Sequence, residues 1–202
     1  FEIGNAAWSG IGSAGPLRGR KRSLYEGGVR VPFLVRWPQG TPPGCVNNHT
    51  VISGADLLPT LCELAGAPVP EAVKATLRGQ SVAAAVRGDQ TFQRAKPLMW
   101  EWRFRIFNHP WNRSPILAIR DGRWKLLLNP DHSRVELYDI PADPSEQNNL
   151  AAQQANVVAG LSEKVLAWQS TLPPGMTEPA AGMNSYPWPG TAGSAQTPGR
   201  RK

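Results

Sequence analysis

Cysteine is almost absent: the 202 residues contain two, Cys45 and Cys62. Neither has a Cys or His partner at ligand spacing, which excludes a disulfide framework and a thiolate metal site. They read as free thiols. Long apolar runs are missing too, and none approaches the ~20 residues of a membrane-spanning helix. Phe1-Glu2-Ile3-Gly4 lacks the basic start and apolar stretch of a secretory leader, and the first residue is not Met. These features lead to the expectation of a piece cut from a longer protein. Charged residues are only 18% of the chain, yet 41% hydrophobic residues give a globular rather than a disordered balance.

Glycine and proline are abundant, at 20 each, so many loops and tight turns are expected. The net charge of +7 is local. Residues 1–40 hold six basic and two acidic side chains, residues 97–150 hold seven of each, and Arg200, Arg201 and Lys202 form a basic tail. A uniformly basic surface would point to a polyanion partner; this distribution does not.

Residues 1–24 are Gly- and Ser-rich and read as a surface loop. Val-Pro-Phe-Leu-Val-Arg-Trp at 31–37 predicts a strand buried on both faces, as in a sheet covered by helices. A helix is predicted over 54–66, with Ser53 and Asp56 as a capping pair and Leu57, Leu58, Leu61 and Leu64 on one face. A weaker helix covers 81–87. From Lys96 onward, runs at 97–103, 115–120, 123–129 and 134–139 predict an antiparallel meander, with Asp121-Gly122 as a hairpin turn. Residues 151–171 then predict an amphipathic helix through Val158, Leu161, Val165 and Trp168, packed on one face of the meander. After Pro173 the chain is Pro/Gly-rich and extended. The division this implies is 1–95, the end of an α/β domain; 96–172, a small sheet with a helix; and 173–202, a tail. The first part cannot be a whole α/β domain, because its one buried strand has no parallel neighbours in the sequence.

The chemistry concentrates in Leu17-Arg18-Gly19-Arg20-Lys21-Arg22-Ser23-Leu24-Tyr25-Glu26-Gly27-Gly28-Val29-Arg30-Val31-Pro32. On composition this is a solvated basic loop ending in a Gly-Gly turn before a strand. The motif, with the apolar run and Trp37-Pro38 after it, resembles the second signature region of the formylglycine-dependent (type I) sulfatases. The resemblance continues in family order. It runs through Ser53-x-x-Asp56-Leu57-Leu58-Pro59-Thr60 and Ile119-Arg120-Asp121-Gly122-Arg123-Trp124-Lys125-Leu126. It then takes in Glu136-Leu137-Tyr138-Asp139 and Asp143-Pro144-x-Glu146-x-x-Asn149-Leu150. Asn184-x-Tyr186-Pro187-Trp188-Pro189 is a weaker match to the ending of some secreted bacterial members. No single block decides; the ordered set is specific.

The resemblance implies part of an α/β, alkaline-phosphatase-like fold, followed by an α+β subdomain with a four-stranded antiparallel sheet and a C-terminal helix. It implies hydrolysis of sulfate esters, with sulfated glycans as the substrate class, by an enzyme of the periplasm, cell exterior or lysosome. In that family a formylglycine attacks sulfur and a divalent cation, usually calcium, holds the sulfate. Of the catalytic set only Lys21 carries over, as a fixed ammonium beside the sulfate oxygens. Glu26, Gly27, Gly28 and Arg30 carry over as support for the loop, the acid and base pairing across the glycines. Arg18, Arg20 and Arg22 either draw an anionic substrate or are solvated.

The departures are equally clear. Neither cysteine lies in a Cys/Ser-x-Pro/Ala-x-Arg nucleophile motif, and no aspartate pair for calcium is recognisable. The nucleophile and the metal ligands are expected upstream, with none in this chain, and the chain alone is expected to be inactive. The acids of 131–146 read as turn and cap residues. Trp102, Arg103 and His109 could seat a sugar and a neighbouring anion, but a packed sheet edge with His109 in an exposed loop is the simpler reading. Three other functions compete: a polyanion-binding module, a non-catalytic interaction remnant, and a phosphate or phosphonate ester hydrolase of the same superfamily. Only Tyr25 lies close to the basic cluster, which weakens nucleic-acid binding.

Overall fold

The computed structural model describes residues 13–106 and 109–186. Residues 1–12 of the predicted first loop, the Pro187-Trp188-Pro189 end of the weakest motif and the basic tail lie outside them. The chain divides into two compact units, one of residues 1–30 with 99–202 and one of residues 31–98.

The first unit is built on an antiparallel sheet of order β1-β2-β3-β4: β1 (Leu98–Glu101), β2 (Leu117–Asp121), β3 (Trp124–Leu128) and β4 (Glu136–Asp139). The meander expected from the sequence is therefore present. Its central hairpin pairs Asp121 with Trp124. The two turn residues are thus Gly122 and Arg123, one position later than predicted. Gly122, at φ 56°, takes the left-handed angle that this turn requires.

Side chains alternate across the sheet. Ile119, Leu126, Leu128 and Leu137 face one way and pack with Leu161 and Val165 of the helix Ala155–Ser170. That helix begins four residues later than predicted but buries its expected face. Ala118, Leu127 and Tyr138 face the other way, against Leu24 and Tyr25. The second face is thus covered by the basic loop itself, which no periodicity announced.

The second unit departs more from expectation. Residues 31–37 form no strand, and Val31, Phe33, Leu34 and Val35 are exposed, Leu34 to 91%. A doubly buried strand needs hydrogen-bonded neighbours and cover on both faces. No strand among the described residues pairs with it. The predicted helix at 54–66 resolves into a 3-10 turn, Gly54–Asp56, and an α-helix, Leu57–Leu64. The Ser53/Asp56 pairing is present, with the Ser53 N–H donating to Asp56 Oδ2 at 2.8 Å. The helix's apolar stripe lies open, with Leu57, Leu58 and Leu61 exposed. Short helices occupy Glu71–Lys74, which was not predicted, and Ala83–Val86.

Asp56 holds this unit together. It is buried and accepts from the Gln80 N–H at 2.9 Å and from Arg94 Nη2 at 3.0 Å. Burial alone would raise its carboxyl pKa; the Arg94 and backbone hydrogen bonds outweigh that and hold it below the usual range.

Leu126→Ala, at a fully buried position of the sheet, is expected to cost about 2–5 kcal/mol. Leu34→Ala is expected to change stability by less than ~0.5 kcal/mol. Urea denaturation of the two variants reads both.

Candidate active-site loop and its buried support

The basic loop is tight because its glycines admit backbone where a side chain could not fit. A Cβ on Gly28 would meet the Ser23 carbonyl oxygen at 2.0 Å, and one on Gly27 would meet the Gly19 carbonyl oxygen at 2.5 Å. The Gly27 N–H donates to the Arg18 carbonyl at 2.6 Å, and the Ser23 N–H to the Arg20 carbonyl at 2.8 Å. The loop is also pinned to the sheet unit. Gly19 N–H donates to Asn112 Oδ1 at 3.1 Å, and Leu24 N–H to Ser114 Oγ at 2.9 Å. The Gly-Gly turn is a single helical turn, α1 (Glu26–Val29). Lys21 lies exposed on this loop, and the next residue, Arg22, has φ 79°. A left-handed angle at a non-glycine residue is a local strain that the surrounding contacts must hold.

Arg18, left open between substrate attraction and solvation, does neither. Its guanidinium lies over the Tyr25 ring at 3.7 Å and the Trp111 ring at 4.0 Å. It donates to Tyr138 Oη at 2.8 Å, to the Trp111 carbonyl at 2.8 Å and to the Glu146 carbonyl at 3.2 Å. Arg18 is a largely buried strut. Beside it, Glu136 Oε2 accepts from Tyr25 Oη at 2.6 Å and Tyr138 Oη at 2.9 Å. Burial, and then the Glu136 charge, push both phenol pKa values well above their usual range.

Under the turn lies a second buried cluster. Lys125 of β3 is fully buried, with Nζ 2.9 Å from Glu26 Oε1 and 3.0 Å from Glu146 Oε1. Arg120, Lys125's cross-strand neighbour, reaches Glu26 Oε2 at 3.4 Å. The expected pairing of Glu26 with Arg30 is the loosest of these contacts, at 3.9 Å with Arg30 half exposed. Glu146 Oε2 accepts the Glu26 backbone N–H at 2.6 Å. The contact of Glu146 Oε1 with Lys125 is an ion pair without hydrogen-bond alignment. Burial drives the Glu146 carboxyl up to about 7, the Lys125 charge only partly opposing it.

The reading of acids 131–146 as turn and cap residues is therefore corrected in part. Asp131 and Asp143 do cap turns, accepting N–H groups of Ser133 and of Gln147 and Asn148. Glu136, partly buried, and Glu146, fully buried, are instead charge partners. Lys125 and Glu146 are the site residues that sequence reasoning missed. The available signals were a lysine among leucines in a strand and a glutamate inside a matched block.

Two hollows flank the loop. One, of about 240 Å³, is lined by residues 13–20 with Trp111, Asn112, Ser145 and Gln147, and includes Arg20. The other, of about 270 Å³, is lined by Arg22, Trp102, Phe104, Arg105 and Glu178. Trp102 is thus brought to the loop, its ring edge-on to Phe104 at 5.5 Å. Arg103 lines neither hollow; it bonds Glu101 Oε2 at 2.6 Å and the Pro173 carbonyl at 3.4 Å. His109 is exposed, and its Nδ1 accepts the Trp111 N–H at 3.2 Å, capping the turn Pro110–Asn112. Among the described residues no group of three or more His, Cys, Asp or Glu side chains is placed to hold a metal ion. No helix among them is long and apolar enough to cross a membrane. Cys45 and Cys62 are free thiols.

The chain resembles known proteins along most of its length. The sequence model of the family described as N-sulphoglucosamine sulphohydrolase, C-terminal, matches residues 19–171. The chain is 32% identical over 163 residues to an N-acetylgalactosamine-6-O-sulfatase of Bacteroides thetaiotaomicron, covering 74% of this chain and 29% of that protein. It is 32% identical over 176 residues to human arylsulfatase A, covering 77% and 32%. Among solved structures, Ps i-CgsB in complex with k-i-k-neocarrahexaose superposes with a TM-score of 0.61 at 28% identity, over 84% of this chain and 36% of that one. The chain spans about a third of the length of the curated relatives it matches.

Two measurements check the loop and its support. Gly28→Ala is expected to destabilise the unit by about 1–3 kcal/mol in urea denaturation, because the contact at 2.0 Å is with backbone. The Glu146 carboxyl, raised in the fold, contributes stability that is full below the ordinary glutamate value of 4.5 and is lost as pH rises through about 7. The stability difference between wild type and Glu146→Gln is therefore expected to shift by on the order of 2 kcal/mol between pH 4.5 and 7.5, wild type losing ground as pH rises. A flat difference across that range contradicts the assignment.

Proposed function

The chain belongs to the sulfatase family, and from that premise we propose that it is the C-terminal part of an enzyme that hydrolyses sulfate esters, with Lys21 holding the sulfate. One observation carries the reading: Lys21 is exposed on a loop whose every other anchor is buried or hydrogen-bonded. A lysine whose backbone is already held gives up only its side-chain freedom when its ammonium meets an anion. Cleaving the S–O bond of a sulfate ester spreads negative charge over sulfuryl and leaving oxygens. An ammonium at hydrogen-bond distance stabilises that charge.

Calcium and formylglycine fit the family as a whole. In this reading they belong to segments other than those described, since the described residues offer no cluster for the metal. The isolated chain is accordingly proposed to be inactive. Sulfated glycans are the proposed substrate class, in line with relatives that act on N-acetylgalactosamine-6-sulfate esters or bind a neocarrahexaose. In the full-length enzyme, Arg20 and Trp102 sit in hollows on either side of the loop, where they would meet the sugar. Arg103 and His109, tied to neighbouring residues, are left outside the proposed subsites. The proposed location is the periplasm, cell exterior or lysosome.

Lys21→Ala in the full-length enzyme is expected to lower kcat/KM for an aryl sulfate by about 10²–10³-fold with the fold intact. Unchanged turnover would contradict the role given to Lys21; a Lys21-dependent sulfatase activity of the purified 202-residue chain would instead contradict the proposed inactivity of the isolated chain.

A further inference from the structure

We propose that Lys125 and Glu146 are positioning residues for the loop that presents Lys21, the buried ammonium and carboxylate together fixing the turn at Glu26. The proposal rests on the sulfate-binding reading of Lys21, but its geometry stands apart from it. Three connections converge on Glu26. Its side chain meets Lys125 at 2.9 Å, its side chain also meets Arg120 at 3.4 Å, and its backbone N–H meets Glu146 at 2.6 Å. The turn is therefore held by side chain and main chain at once, from β2, β3 and the connection after β4. Rotation of the turn would break both sets of contacts.

Stability alone does not call for this arrangement. Two carboxylates and an ammonium away from water pay desolvation that an apolar cluster of equal volume would avoid. The neighbouring residues show that an apolar solution was within reach: Leu127, on the same face of β3 as Lys125, packs on Tyr25 and Leu24. What a charge cluster gives and leucines do not is direction. An ion pair with backbone hydrogen bonds fixes a single orientation of the turn, whereas apolar packing tolerates several. Glu146 supports this reading from its own backbone. It adopts φ 54°, an angle a non-glycine residue takes only under constraint, and it does so with its side chain fully buried beneath the turn.

The charged groups that face Glu146 are Lys125 on β3, Arg120 on β2 and Glu26 on α1. Arg30 completes the set around Glu26 from the exposed side. Arg120 is itself almost buried, with its Nε lacking a hydrogen-bond partner. Its pairing with Glu26 is therefore one-sided, and Lys125 and Glu146 remain the principal anchors.

Amide hydrogen exchange in the ¹⁵N-labelled 202-residue chain tests the proposal, on Lys125→Met and on the milder Glu146→Gln. The surface variant Lys164→Met, which removes only an exposed pair with Asp121, is the control. In both test variants the amides of Glu26 and Gly27 are expected to lose protection at least tenfold, while Leu126 and Leu127 in β3 stay within about twofold of wild type. The second readout is kcat/KM for an aryl sulfate in the full-length enzyme. Both variants are expected to lower it at least tenfold, the control to leave it unchanged, and Lys21→Ala to lower it about 10²–10³-fold with loop protection intact. If loop and sheet lose protection together, the cluster merely supports the fold; if neither changes, it does nothing for the loop. Either result overturns the proposal. If Lys21→Ala leaves turnover of the full-length enzyme unchanged while the test variants lose loop protection as described, the positioning role stands and the sulfate reading of Lys21 falls.

Discussion

An ammonium taken fully out of water must be paired, or it does not remain charged. Lys125 is in that position, and its two partners come from different segments: Glu26 from the loop and Glu146 from the connection after β4. Because each depends on the other two, the loop cannot lift from the sheet without stranding charge. The sheet therefore has two packed faces. One is the apolar seam with the helix Ala155–Ser170. The other combines Leu24, Tyr25, Leu127 and Tyr138 with this ionic cluster and the Arg18 strut. Lys21 stays at the surface while nearly everything that holds its loop is removed from solvent.

The second unit obeys the same principle on a smaller scale. Asp56 gathers the Ser53 and Gln80 N–H groups and the Arg94 guanidinium around one buried carboxylate. That knot orders a segment with little apolar core of its own. Leucines on the Leu57–Leu64 helix and the run 31–35 remain exposed.

What the sequence revealed depended on how local the physics was. The meander, its hairpin and the final helix rest on alternation, on a glycine able to take a positive φ and on a helical apolar stripe, all set within a few residues. The strand at 31–37 has equally good local chemistry and does not form, because a strand's existence is decided by partners elsewhere. The loop's glycines do lie where backbone approaches closely, as expected, while Lys21 was suggested by the motif's resemblance alone. Lys125, Glu146 and Arg18 were not legible as a set. Each has a partner about 100 residues or more away in sequence, and a lysine in a strand or an arginine in a basic loop is ordinarily solvated. Only the fold brings their charges together.

In the proposed function, the loop holds Lys21 against a sulfate group. A crystal structure of the full-length enzyme bound to a sulfated oligosaccharide tests it most directly. Lys21 Nζ is expected at hydrogen-bond distance, about 2.7–3.2 Å, from a sulfate oxygen, with Glu26, Lys125 and Glu146 still joined beneath the turn. A sulfate held by other groups, with Lys21 pointing into solvent, would contradict it.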